Sequence, residues 1–257
     1  MNNALRKTIL FIGTLAVFVL AWQGYVALSG VPPQILPAPG AFVQKFIDNV
    51  TMSGFGEHMG TTLYEIAIGF LIGCAAGLVI GYILAKSPLV ERLLTPYIVL
   101  AQIIPKISIA PLFLLWFGLG ASAKVALVVI GVFFPIMVNT IIGIRSVENN
   151  MKDLLYILRA SPLQRFFSVE VPFSLPSIMA GVKVATTYAI TGAVIGEMVG
   201  AKAGLGYLVI SGSENYDINM ILTAVLILSL IGLVLYLLAN YAEKKLLHWH
   251  ESQQVIM

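Results

Sequence analysis

The chain has 257 residues, of which 59% are hydrophobic and only 11% are charged, and its mean hydropathy is +0.94. Soluble domains carry about 25% charged residues, so this composition excludes a water-soluble globular protein. The net charge of +3 excludes little by itself. The excess apolar surface must face lipid, and we expect an all-α polytopic membrane protein.

Several runs without Asp, Glu, Lys or Arg reach the roughly 20 apolar residues that a membrane-spanning helix needs. The first run follows Arg6 and Lys7. It is longer than a signal-peptide core and lacks a small-x-small cleavage site, so we expect a retained helix. We predict one transmembrane domain over 1–257, with its core at 61–242. The predicted spans are 9–28, 63–84, 94–117, 125–142, 178–199 and 220–241.

The segment between the first two spans is rich in proline, with Pro32, Pro33, Pro37 and Pro39. Residues 41–50 follow it with the sequence AFVQKFIDNV, which is typical of a short helix at the membrane surface.

The distribution of Lys and Arg predicts the orientation of the six spans. With a cytoplasmic N-terminus, 11 of the 15 Lys and Arg residues fall inside, 3 fall outside, and Lys106 is unassigned. This is the asymmetry that the positive-inside rule describes, so both termini are expected in the cytoplasm of a bacterial inner membrane. The three outside are Lys45, Lys124 and Lys202.

The second span contains Gly69, Gly73, Gly77 and Gly81, each four residues from the next. This spacing places all four on one face of a helix, where a second backbone can approach closely. The row predicts tight helix packing rather than a substrate site.

Three ionisable residues lie within the predicted spans, where charge is costly. Glu65 and Glu197 lie near span ends, and either interfacial placement or a role in a pathway or gate fits them. Lys106 lies between Pro105 and Pro111. Broken helices at membrane depth usually line a cavity, so Lys106 is a candidate for the translocation route or its gate, the alternative being a structural role.

The long segment between the fourth and fifth spans, residues 145–177, has two amphipathic parts. The first carries an apolar stripe at helical spacing. In the second, Ser161 and Pro162 are typical of a helix start, Leu163, Phe166 and Phe167 form one face, and Pro172 is expected to end the helix. The hairpin could pack on its own chain or lipid, or dock a soluble partner. The stripe consists of Met151, Leu154, Leu155 and Leu158.

The sequence offers no catalytic or cofactor site. Cys74 has no intrachain disulfide partner, and His58, His248 and His250 lack metal-ligand spacing. No phosphate-binding loop of the G-x-x-x-x-G-K-[ST] type occurs, so ATP hydrolysis would need a separate subunit. An intramembrane enzyme would need converging catalytic groups, which are absent. A scaffold or channel subunit would not need a capped amphipathic hairpin.

Three stretches carry a resemblance to a known family. They are ILPAPGAFV at 35–43, IPKISIAPLFLLWFGLGASAKV at 104–125 and GEMVGAKAGLGYLV at 196–209. With these, nearly the whole chain resembles permease subunits of bacterial ATP-binding-cassette (ABC) importers, in the branch for sulfonates, taurine, nitrate, thiamine pyrimidine precursors and riboflavin. The resemblance implies the type I importer permease architecture and a non-enzymatic transport subunit.

The resemblance also implies that residues 147–176 are the coupling loop, the EAA loop, which docks into the ATPase subunit. This chain departs from the family pattern there. Asp153, Leu154 and Leu155 replace Glu-Ala-Ala, and Arg159 stands where the family has glycine. The later part agrees with the family, with Ala160, Ser161, Phe167, Val171, Pro172 and Pro176 in place.

The partners implied by the resemblance are two ATPase subunits, which bind ATP and Mg, an extracytoplasmic substrate-binding protein and a second permease copy, expected as a homodimer. The Ile104-Pro105-Lys106 sequence resembles vitamin and pyrimidine-precursor members more than sulfonate members. The expected substrate is therefore riboflavin or a thiamine pyrimidine precursor, with sulfonate, taurine or nitrate as the alternative.

Overall fold

The computed structural model describes residues 3–248, and every regular element in this range is a helix. His250 lies outside the described residues. The long helices are joined by short connections, and a π-helical turn at Phe166–Glu170 links the eighth helix to the ninth. The helices are α1 Asn3–Ser29, α2 Pro39–Thr51, α3 Phe55–Lys86, α4 Pro88–Ile103, α5 Lys106–Phe117, α6 Ala121–Arg145, α7 Asn149–Ile157, α8 Pro162–Arg165, α9 Val171–Gly200, α10 Leu205–Glu214 and α11 Ile218–Leu246.

Five helices are long and apolar enough to cross a membrane: α1, α3, α6, α9 and α11. The expected third span, 94–117, is interrupted beside Lys106, as its prolines predict. It consists of α4 and α5, which meet at an angle of 96°. Pro105 is the N-cap of α5 and lacks the amide hydrogen that would continue α4. If the bent pair counts as one span, the six expected spans are all present.

Helix α6 is the centre of the structure, with α3 on one side and α9 on the other. The glycine row of α3 faces α6. A Cβ atom on Gly69 would lie 2.5 Å from Val128, one on Gly73 2.8 Å from Val132, and one on Gly77 2.8 Å from Ile136. The two backbones are therefore as close as glycine allows, since no real Cβ atom reaches such distances.

The contact between α6 and α9 uses glycines from both helices. A Cβ atom on Gly131 of α6 would lie 2.8 Å from the carbonyl oxygen of Tyr188, and one on Gly192 of α9 would lie 2.9 Å from that of Leu127. Alanines of α9 fill the same face and are fully buried. Small residues thus let all three backbones pack closely, as expected for helices in lipid.

The outer helices are held more loosely. No residue in the apolar window of α1 is buried by the rest of the chain, and α4 has no buried residue. The surface helix expected at 41–50 is α2, which contacts α11. There, the Asn49 amide donates a hydrogen bond to the Thr223 hydroxyl at 3.1 Å.

The close approach of α3 and α6 makes Gly77→Val a severe change. Its Cβ would lie 2.8 Å from both Ile136 Cβ and the Phe133 carbonyl oxygen. Overpacking costs about 1–3 kcal/mol, so we expect a lower melting temperature and less folded protein in detergent. Gly60→Val in the same helix is the matched control, because nothing lies within 4 Å of its Cβ position. Equal melting temperatures for the two variants would contradict this packing.

Candidate functional site

The hairpin of α7 and α8 presents apolar side chains that its own chain does not cover. Ile157 is 75% exposed, Leu163 69% and Phe167 65%. An exposed apolar patch of this kind usually marks an interaction site. The expected stripe on α7 divides: Met151 and Leu155 are half-buried, whereas Leu154 and Leu158 face outward beside Tyr156 and Ile157.

The turn between α7 and α8 explains why glycine suits the position that Arg159 occupies in this chain. Arg159 has φ +51°, in the left-handed region. Its amide donates to the Tyr156 carbonyl at 3.0 Å, and the Ala160 amide donates to the Leu155 carbonyl at 3.0 Å. These two bonds form the Schellman motif that ends a helix, and its left-handed residue is usually glycine. Arg159 therefore keeps the turn at some cost in backbone strain.

Helix α8 begins as the sequence predicts. Ser161 is its N-cap and Pro162 occupies the first turn. The Gln164 amide donates to the Ser161 hydroxyl at 3.3 Å, and the Ser161 amide donates to the Gln164 side chain at 2.8 Å. This reciprocal capping box fixes the direction in which the hairpin leaves its turn.

Asp153, on α7, is exposed and forms no ion pair within the described chain.

The second apolar face differs from expectation in two respects. Phe166 turns inward, and its ring meets Tyr82 edge-on at 5.2 Å, whereas Phe167 faces outward. Pro172 does not end a helix, because it lies in the first turn of α9. The backbone stays helical from Pro162 through the π-helical turn into α9, and Pro172, which lacks an amide hydrogen, lies where the π-helical pattern gives way to the α-helical one. Val171, the first residue of α9, lines an apolar groove beside Phe166.

Two ion pairs brace the helices on either side of the hairpin. Lys86 at the end of α3 pairs with Glu170 of the π-helical turn, and the Tyr82 hydroxyl donates to the same carboxylate at 3.1 Å. Arg145 at the end of α6 forms a two-pronged pair with Glu91 of α4, with one contact at 2.8 Å. The first pair therefore ties the π-helical turn to α3, and the second braces α6, from which the chain continues into α7, against α4. Sequence patterns gave no signal for these pairs, because their partners are far apart in the chain.

Lys106 lies where α4 and α5 meet, on the wall of a cavity of about 310 Å³. The cavity is formed with Gly131 and Asn139 of α6 and with Tyr188 of α9, near the middle of both helices. The Lys106 ammonium lies 4.8 Å from the centre of the Tyr188 ring. Within the described chain it has no carboxylate partner. The site is thus a cavity halfway along the long helices that has one cationic side chain and walls of mixed polar and apolar residues.

Glu65 and Glu197 are neither interfacial nor part of this cavity, because each is only 1% exposed. They are buried together at the α10 end of the structure, close to the ammonium group of Lys124. The Lys124 ammonium also donates to the Leu119 carbonyl at 2.5 Å. A role of Glu65 and Glu197 in a gate stays a prediction.

Glu197 organises the start of α10. Its carboxylate accepts hydrogen bonds from the Thr62 hydroxyl and the Gly206 amide, both at 2.6 Å. The Leu205 amide donates to Thr62 at 2.8 Å, and the Gly204 amide donates to His58 at 3.1 Å. The side chains of α3 and α9 thereby satisfy the amides that α10 leaves free at its N-terminus.

No cluster of three or more His, Cys, Asp or Glu side chains that could hold a metal ion occurs among the described residues. Cys74 packs against the apolar core around α6.

The comparisons with known proteins agree with one another. A family model described as "Binding-protein-dependent transport system inner membrane component" matches residues 77–248. The chain is 34% identical to the formylaminopyrimidine transport permease of Halalkalibacterium halodurans, over 98% of each chain. It is 36% identical to the riboflavin transport system permease of Chloroflexus aurantiacus, over 93% of this chain and 89% of that one. It is 30% identical to the putative aliphatic sulfonates transport permease of Bacillus subtilis, over 93% and 87%.

A solved structure of the MetNI methionine ABC transporter, in inward-facing conformations, is similar to this chain with a TM-score of 0.58. The match covers 80% of this chain and 98% of that chain at 18% sequence identity. At this identity the likeness concerns the fold.

The left-handed backbone at Arg159 predicts an order of thermal stability among variants at this position. Left-handed backbone costs a residue with a Cβ about 1–2 kcal/mol, and a β-branched residue suffers most. We expect Arg159→Gly to melt at or above the wild-type temperature and Arg159→Val to melt below it, measured by thermal unfolding in detergent. Arg159→Lys is the control and should match wild type. A glycine variant less stable than the valine variant would contradict the assignment of strain.

Proposed function

Because this chain belongs to the family of binding-protein-dependent transport system inner membrane components, we propose that its α7–α8 hairpin receives the movement of an ATPase subunit and passes it to the long helices. The chain is a multi-pass membrane permease subunit of an ABC importer and does not itself hydrolyse ATP. The observation that carries the proposal is the exposed apolar surface at Ile157, Leu163 and Phe167, which the chain itself leaves uncovered.

The route of coupling follows the contacts of the hairpin. An ATPase that closes on ATP would displace α7 and α8, which are tied to α3 through Glu170 and Lys86. Helix α7 also follows directly on α6, whose last residue, Arg145, pairs with Glu91 of α4. Because α3, α6 and α9 pack without space for sliding, they would move as one body and open the pathway alternately to the two sides. Rocking of rigid bundles is the usual basis of alternating access.

The proposed orientation places the hairpin and both termini in the cytoplasm. The exposed basic residues at this end favour it: Lys86, Arg92, Arg159, Lys244 and Lys245 all lie there. At the opposite end Lys45 and Lys202 are exposed, while Lys124 is buried. An extracytoplasmic binding protein would deliver substrate at the α10 end.

The proposed pathway is formed by two copies of this chain. Both α1 and α4 expose apolar side chains and have few contacts within their own chain, as expected of helices that another protomer or lipid covers. The cavity at Lys106 then lies at membrane depth on the route of the substrate.

The proposed substrate is a small nutrient, with riboflavin or a pyrimidine precursor of thiamine favoured by the two relatives of 36% and 34% identity. Lys106 could donate hydrogen bonds to ring nitrogen or carbonyl groups, and Tyr188 offers an aromatic face. An aliphatic sulfonate is the second candidate. It is favoured by the uncompensated positive charge of Lys106 and by the relative of 30% identity.

The docking proposal predicts that Phe167→Asp combined with Leu163→Asp abolishes co-purification of the ATPase subunit, because a charge replaces each apolar contact. Phe166 is left unchanged, since it packs on Tyr82 and its loss would disturb the fold. Tyr216→Asp, an exposed aromatic residue at the opposite end, is the control. Retention of the ATPase by the folded double variant would refute the docking surface.

The pathway proposal predicts that Lys106→Ala lowers uptake while the transporter still assembles. The loss of a charged hydrogen bond is worth about 1.5–3 kcal/mol, so uptake should fall at least about tenfold. Lys45→Ala, on the exposed face of α2, is the control. The substrate is chosen as the compound that raises the melting temperature of the partner binding protein. Wild-type uptake by the Lys106 variant would assign this residue a structural role.

A further inference from the structure

We propose that the hairpin end of the chain holds a specific site for an anionic phospholipid. The acyl chain would lie in an apolar groove between α3 and α9, and the headgroup in an adjoining basic cavity. The proposal is independent of the ATPase and of the transported substrate, because it requires only that this end of the helices lies at a membrane surface.

The apolar groove has a volume of about 440 Å³, and α6 forms its floor. Val79 and Ile83 form one wall and are more than half exposed. Leu175 and Ile178 form the other wall, and Phe166 lies at the end next to the hairpin. A surface of this composition offers few polar partners to a peptide, whereas a hydrocarbon chain requires none.

A second cavity, of about 290 Å³, continues the groove toward the hairpin. Ile144 lines both cavities. Three basic side chains line the second cavity, Lys86, Arg145 and Arg165, against one acidic side chain, Glu170. Two of the basic groups are neutralised, since Lys86 pairs with Glu170 and Arg145 pairs with Glu91.

Arg165 supplies the unbalanced charge of this cavity. Its Nε donates to the Ala160 carbonyl at 2.9 Å, and no carboxylate of the described chain pairs with it. The remaining donors of its guanidinium group are therefore available to an anion. Basic pockets between membrane helices are known binding sites for anionic headgroups.

The spacing of the two cavities suits a phospholipid. From Leu78 to Lys86, α3 rises about 12 Å at 1.5 Å per residue. One leaflet of the hydrocarbon core is about 15 Å deep. A chain in the groove would therefore place its headgroup at the level of Lys86 and Arg165.

A second copy of this chain fits the site less well. Its exposed helix α1 could fill an apolar groove, but the first acidic residue in the sequence is Asp48. That helix would bring Arg6 toward the basic cavity rather than a negative charge. Charge complementarity thus favours the lipid over the copy.

Occupancy of the site would act on the link between the hairpin and α9. Phe166 and Glu170 belong to the π-helical turn, and each forms part of a cavity wall. Turns of this kind often occur at functional sites. A bound lipid would hold this turn against α3 through both its chain and its headgroup.

The test measures binding of dioleoylphosphatidylglycerol and dioleoylphosphatidylcholine to the purified full-length protein by native mass spectrometry. The two probes share their chains and differ in headgroup charge. We expect phosphatidylglycerol to bind more tightly. Arg165→Gln should weaken its binding about fivefold, the share of one basic residue at an anionic lipid surface, and leave phosphatidylcholine unchanged. Val79→Trp, which fills the groove, should weaken both lipids.

Two matched variants separate this site from general attraction of lipid. Lys245→Gln removes an exposed basic residue at the end of α11, and Val234→Trp enlarges an exposed residue on the same helix. Both should bind lipid like wild type. Equal losses in Arg165→Gln and Lys245→Gln, or no loss in Arg165→Gln, would overturn the proposal. A change in protomer number in Val79→Trp with unchanged lipid binding would assign the groove to a second copy.

Discussion

The close approach of α3 and α9 to α6 is the constraint on which the rest of this structure depends. Moving an apolar side chain from lipid into a helix interface gains little free energy, because the lipid tails are themselves apolar. Dispersion contacts between closely packed atoms must hold the helices together, and these contacts are strong only where backbones come near. Gly69, Gly73 and Gly77 on α3, and Gly192 on α9, provide that approach. The result is a body of three helices that cannot slide past one another.

The contacts at the ends of these packed helices connect them to the hairpin and to α10. At one end, Glu170 ties the π-helical turn to Lys86 of α3, and Arg145 ties the end of α6 to Glu91 of α4. Helices α4, α6 and α9 form the Lys106 cavity together with Lys106 at the start of α5. In the proposed mechanism, a displacement at the hairpin would be transmitted along these helices. The regular α-helical backbone is interrupted on both sides of α8, where Arg159 adopts a left-handed conformation and a π-helical turn precedes α9.

The opposite end depends on buried polar groups. Glu197 and Thr62 satisfy backbone amides at the start of α10, and Glu65 and Lys124 are buried beside them. Burial of these groups would be costly without partners. Glu197 and Lys124 have hydrogen-bond partners, whereas Oε2 of Glu65 is buried without one. Gly204 leaves room for the Glu197 carboxylate, because a Cβ atom there would lie 2.3 Å from Glu197 Cδ. This packing explains why the segment 196–209 combines one glutamate with several glycines.

Membrane residence, the spans, the capped start of α8 and the glycine face of α3 could be predicted from the sequence, since each rests on composition or on spacing along one element. Helix packing was needed to show which helix meets the glycines, that Phe166 turns inward, and that Glu65 and Glu197 are buried together. It also set the angle of 96° between α4 and α5 at the break that the prolines predict. These features depend on contacts between residues far apart in the chain, such as Glu170 with Lys86 and Glu197 with Thr62. Local spacing carries no signal for such contacts, because the partners meet only after the helices have packed.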